Sequence, residues 1–206
     1  MRDVGLDPER ALSRAIEATR AWSTMIVEAI KERLPSSELV LFFDEPALVS
    51  WRAGKEAIER ERAIDVLSGV LAFPGCITGV HVCGVGDVRL ALDAGPDVLG
   101  IDMAAIRPDD AVALARFLDG DGWIAWGAVP TDRPVGDHVA PLWKALTDVW
   151  RELAQRGCDP ERLRHQAMVT PACGLSGHGE SQAERALRLA HELGVRVRTH
   201  EKEYVH

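Results

Sequence analysis

Apolar positions repeat with two periods in alternation along this chain, and that alternation predicts the fold class. Between residues 8 and 34, Leu12, Ile16, Trp22, Ile26 and Ile30 recur at helical spacing, with Thr19 at the step between Ile16 and Trp22. One long amphipathic helix is predicted there. Pro35-Ser36-Ser37 breaks it. The run 38–43 (ELVLFF) is short and apolar and ends at Asp44-Glu45-Pro46, the pattern of a buried strand closed by acids. Further strands are predicted at 78–82, 97–101, 123–128 and 166–170, and further helices at 54–72, 87–94, 108–118, 141–156 and 181–193. The tail is polar, with 195–197 able to pair as an edge strand. One helix followed by five strand–helix units implies an α/β fold, a parallel sheet with helices packed outside. No linker divides the chain, so 1–206 reads as a single domain.

Composition narrows the function classes. Hydrophobic residues make up 47% and charged residues 27% of the chain, and mean hydropathy is −0.06. That balance builds a core. Lys+Arg number 24 against 32 Asp+Glu, a net charge of −8. No basic stripe is present, so nucleic acid is not an expected partner. No apolar run approaches the roughly 20 residues of a membrane span, and the opening MRDVGLDPER has no signal-peptide pattern. A cytoplasmic location away from membranes is expected. There the scattered Cys76, Cys83, Cys158 and Cys173 read as core residues, metal ligands or nucleophiles rather than disulfides.

In parallel α/β folds the working groups sit at the C-terminal ends of strands. Four of the five predicted strand ends carry chemistry: Asp44-Glu45, His81-Val82-Cys83, Asp102 and Cys173. The fourth strand ends in Gly127-Ala128 and offers only Trp126 and backbone. His81 and Cys83 are two apart, so in a strand both point to one side. With Asp102 and Cys173 they form a His/Cys/Cys/carboxylate set, thiolate-rich and suited to zinc over magnesium or calcium. The same residues also read as a buried cysteine pair, a helix N-cap at Asp102 and a turn at Cys173-Gly174. Cys76 and Cys158 read as structural. His178, in Gly177-His178-Gly179, lies just past Cys173 and within reach of the site or of solvent. Asp87, Asp109 and Asp137 read as helix caps, and the other histidines as surface residues. Gly84-Val85-Gly86 is too short for a dinucleotide fingerprint.

At these residues the chain resembles the cobalamin-independent methionine synthase family, in the latter part of its C-terminal catalytic barrel. Asp44-Glu45-Pro46-Ala47-Leu48 is similar to the family's D-E-P-A-L. His81-Val82-Cys83 is similar to its H-x-C, the segment 97–102 to the strand carrying its third ligand, and 169–175 (VTPACGL) to its V-x-P-x-C-G-L. The likeness runs from about residue 38 to 193. It implies a (βα)8 TIM-type barrel with zinc held by His81, Cys83, Asp102 and Cys173. It also implies small-molecule substrates: a methyl group would pass from 5-methyltetrahydrofolate, or a related donor, to the thiol of homocysteine, giving methionine. Asp44 would bind the homocysteine amino group.

Three departures qualify the resemblance. Asp102 stands where the family has Glu. The stretch 124–128 (IAWGA) lacks the family's His, leaving His178 as the candidate general acid. Five strand–helix units stand where a barrel of roughly 250 residues has eight, so the first three strands are missing. The barrel is expected to be partial on its N-terminal side, with a separate N-terminal half or self-association completing it. Two alternatives stay open. One is a corrinoid-dependent thiol methyltransferase of the uroporphyrinogen-decarboxylase-like barrels, which His81-Val82-Cys83-Gly84 also fits. The other is a non-catalytic zinc-binding half-barrel.

Overall fold

A computed structural model describes residues 7–52 and 58–199. Five strands, β1 (Val40–Asp44), β2 (Ile77–Val82), β3 (Val98–Asp102), β4 (Trp123–Val129) and β5 (Ala167–Pro171), form one sheet in the order β1-β2-β3-β4-β5. Every neighbouring pair is parallel. The helices are α1 (Pro8–Arg33), α2 (Ala47–Arg52), α3 (Arg60–Leu71), α4 (Val88–Asp93), α5 (Ala111–Asp119), α6 (Ala140–Gln155), α7 (Pro160–His165) and α8 (Glu180–Thr199). Short 3-10 turns at Met103–Ala105 and Pro108–Asp110 lead into α5. A doubly wound sheet reverses its strand order at a switch point. This sheet never reverses, so it is an arc of barrel type, and it is not closed.

Strand alternation divides the sheet into two faces. On the outer face Val80, Val82, Leu99, Ile101, Ile124, Trp126 and Ala128 are buried beneath the helices. Leu90, Leu114, Leu118, Leu146 and Leu153 complete this core, and Trp126 meets Trp150 edge-on at 6.0 Å. The inner face follows from the register. Phe42, Gly79, Val98 and Trp123 stand level across β1–β4, and Asp44, His81, Gly100, Ala125 and Met168 form the next row toward the C-terminal mouth. Barrel interiors are filled by such rows. Here Val40, Phe42, Ile77 and Trp123 keep 42, 37, 41 and 43% of their surface exposed because the arc leaves that face open.

The predicted elements form, with corrections. The helical stripe of α1 is turned from the expected one. Ser23 and Val27 are buried, Leu12, Ile16 and Arg20 are half-buried, and Trp22 is 65% exposed. Arg20 sets this rotation by donating to Gly69 O and Ala72 O at the C-terminus of α3, where carbonyls lack helical partners. The second expected helix begins at Arg60, and residues 53–57 lie outside the described residues. The short helices α2 and α7 have no counterpart in the periodicity of the sequence. α7 is capped by Asp159, which accepts from Glu161 N at 2.8 Å. No edge strand forms at 195–197: α8 runs on to Thr199 and buries Val197. Asp87 caps α4 as expected. Asp110, not Asp109, makes the turn before α5 by accepting from Arg107 N, and Asp137 instead pairs with Arg185 at 2.7 Å. Among the described residues no helix is long and apolar enough to cross a membrane.

Candidate metal centre

β2 ends by placing His81 and Cys83 on the inner side of the sheet mouth. Room for the imidazole comes from the neighbouring strand: a Cβ on Gly100 would lie 3.3 Å from His81 Nδ1 and 3.3 Å from Phe42 Cε1. Phe42 thereby floors the site. Beyond β5, Ala172 N–H donates to Val129 O at 2.8 Å, the ladder bond beside the Val129–Pro171 pair. Cys173 is the next residue along the chain. One ligand atom each from His81, Cys83 and Cys173 then lies within 4.8 Å of the others. A tetrahedral zinc with bonds of about 2.0–2.3 Å sets ligand separations of roughly 3.3–3.8 Å, so small side-chain rotations suffice to close the set.

Two local features fit a cation. His81 Nε2 is buried and has no hydrogen-bond partner among the described residues, an arrangement that costs about 1–3 kcal/mol unless something satisfies it. The Cys83 thiol is pushed up from its ordinary range. Burial is the first cause, followed by the negative charge of Cys173 and Asp44 and the hydrogen bond shared with Cys173. A bound cation reverses that penalty, because coordination removes the thiol proton outright. Imidazole with two thiolates is a soft set that suits zinc.

The other candidates occupy distinct places. Asp44 ends β1, level with His81 in the register, and is exposed at the mouth. Glu45 is committed locally: its Oε1 accepts from Ala47 N at 2.9 Å, and its N–H donates to His81 O at 3.1 Å. Asp102, expected as the carboxylate ligand, is not in the three-residue group. Its Oδ1 accepts from Ala104 N at 2.9 Å and caps the 3-10 turn after β3. His178 is also outside the group. Its Nε2 lies 2.9 Å from Thr131 O, tying the loop before α8 to the loop after β4. Cys76 lies at the opposite end of the sheet, beside the start of β2. Cys158 is buried, donates to Ala111 O at 3.4 Å, and has its thiol pushed up to about 11 by burial and then by Asp119. His138, His165 and His191 are exposed, as expected; His200 and His206 lie outside the described residues.

No family model matches the chain. Among solved structures, a B12-independent methionine synthase from Shewanella sp. W3-18-1, determined in complex with selenomethionine, superposes with a TM-score of 0.59. The two are 15% identical, and the match covers 90% of this chain and 55% of that one. The chain thus spans about half the length of the protein it resembles. At that identity the likeness carries the fold: an open α/β arc shared with part of a methionine synthase.

Proposed function

We propose that this chain is a zinc-dependent methyltransferase that moves a methyl group from 5-methyltetrahydrofolate, or a related donor, to the thiol of homocysteine. The observation that carries the reading is the His81, Cys83 and Cys173 group at the C-terminal mouth of the sheet, with a buried imidazole nitrogen that has no hydrogen-bond partner among the described residues. The motif order around these residues and the likeness to part of a methionine synthase support it.

His81, Cys83 and Cys173 would hold the ion, which supplies a Lewis acid able to keep a thiol as thiolate at neutral pH. A set of three protein ligands would suit a catalytic rather than a structural zinc, since structural sites use four. Asp102 keeps its place as a cap. Asp44, exposed beside the group, accepts hydrogen bonds from the acceptor's ammonium and orients its sulfur toward the mouth. The reaction is an exchange at one carbon: a sulfur–methyl bond forms as the donor's nitrogen–methyl bond breaks, and that nitrogen takes up a proton. Ala125 and Gly127 line the inner face of β4 and supply no acid.

That absence favours one second reading, a corrinoid donor, which leaves without needing a proton on nitrogen. Methyl transfer to homocysteine by zinc-loaded protein, with labelled methyl-folate and methylcobalamin in parallel, separates the two. Methionine from the folate donor, abolished in Cys83→Ala, is the expected result. Product from methylcobalamin alone selects the second reading. No product from either donor, with zinc bound, leaves a non-catalytic zinc-binding half-barrel.

A further inference from the structure

In the sheet β2 and β5 are separated by β3 and β4, yet Cys173 reaches Cys83. In a curved sheet that reach spans the mouth, and the segment after β5 begins it packed against the end of β4. Its path is recorded at two points. Ala172 N–H donates to Val129 O, and the β4–β5 register slips between Gly127 and Val129. At that slip a Cβ on Gly127 would stand 2.7 Å from Ala172 Cα, 3.0 Å from Ile101 O and 3.1 Å from Asp102 Cα. All three are backbone atoms, belonging to the segment after β5 and to the end of β3. No side-chain rotation can relieve the contact.

Resting on the metal-centre reading above, we propose that Gly127 is a positioning residue of that centre. Its missing side chain is the clearance in which segment 171–173 packs against the end of β4 and delivers the Cys173 sulfur to Cys83 and His81. Carbon–carbon contacts settle at about 3.5–4.0 Å, so an alanine at 127 moves Ala172 by roughly 1 Å. Metal–ligand distances tolerate only about 0.2 Å. The displacement exceeds the tolerance several-fold, and Cys173 leaves the ligand set while the rest of the sheet is retained.

The test reads sulfur spacing without metal and affinity with it. Metal-free protein is treated with a bifunctional bimane that fluoresces only when both arms have reacted with thiols, and peptide mapping assigns the bridge. Unsubstituted protein forms a Cys83–Cys173 bridge, and Gly127→Ala loses most of it. Zinc affinity, from competition with a chelating dye, falls at least 100-fold, beyond the roughly 10–100-fold typical of outer partners of metal ligands. Gly122→Ala, which crowds the Phe117 ring at the other end of β4, lowers stability but keeps both the bridge and the affinity. In a Cys173→Ala background, where only weak residual zinc binding is left, Gly127→Ala changes that residual affinity by no more than about twofold, the margin for mutations that do not couple. Bridging and affinity unchanged in Gly127→Ala overturn the proposal. A bridge that depends on Gly127 in a chain that binds no zinc supports the positioning and rejects the metal instead. Should Gly127→Ala not fold, the unsubstituted chain decides. An NMR cross-peak between Gly127 Hα and Ala172 Hα is expected, and its absence refutes the packing.

Discussion

Substitutions at Asp102 separate a metal ligand from a structural cap. Its Oδ1 accepts from Ala104 N at 2.9 Å, and the residue is half-buried at the end of β3. Asp102→Ala removes the acceptor and leaves the first N–H groups of the turn to water. Loss of such a cap costs about 0.5–2 kcal/mol. A three-residue 3-10 turn with water nearby belongs near the middle, about 1 kcal/mol. In a domain of this size that lowers Tm by roughly 2–4 °C. Asp102→Asn keeps an oxygen in the same place, so its Tm should stay within about 1 °C on the same scale. The assay is thermal melting of metal-free protein beside zinc titration of all three forms. Neither variant should change zinc affinity by more than about threefold, well short of the roughly 10–100-fold that even indirect partners contribute. An Asn variant with unchanged Tm but zinc binding weakened a hundredfold would refute the placement of Asp102 outside the centre and restore it to the ligand set.

Three further outcomes are expected. The buried Cys158 thiol keeps its proton up to about 11 when folded, against 9.0 for a free thiol. Its contribution, up to ~2 kcal/mol, is complete below pH 9 and is lost as pH rises through 11; urea melts of wild type and Cys158→Ala across that window should differ in slope, and parallel slopes would contradict this. Asp97→Ala strips the Oδ2 that accepts from Thr78 N at 2.7 Å and Thr78 Oγ1 at 3.2 Å. It should lower the unfolding free energy by about 2–3 kcal/mol while leaving zinc affinity intact, because the pair lies at the far end of β2. His178→Ala should leave zinc binding unchanged and speed hydrogen exchange around 131–136, the loop its ring holds; loss of zinc would place His178 in the centre instead.

The five-strand parallel order was legible because each strand is a short apolar run closed by a polar residue, and each helix keeps its period. The rotation of α1 was not. Trp22 and Ile26 outrank Ser23 and Val27 in hydrophobicity, but Arg20 anchors the helix on the carbonyl end of α3, a tertiary contact without a local signal. Around the centre, His81 and Cys83 could be paired from strand periodicity alone. Cys173 joined them through its place at the end of the last strand, a position the motif order supports, while the distance between its sulfur and Cys83 has no local signal. Asp102 has the type and place of a ligand, and its alternative as a cap depends on where Ala104 N points. Gly127 carries no chemistry of its own, so its importance is visible only as the space that Ala172 occupies.

The most direct test is zinc content of purified, reduced protein beside His81→Ala, Cys83→Ala and Cys173→Ala, each confirmed folded by circular dichroism. About one tightly held zinc per chain, lost in all three variants, is expected when folding preassembles the ligands. Folded protein that takes up no zinc, or keeps it in the three variants, would contradict the metal centre and the methyl-transfer reading built on it.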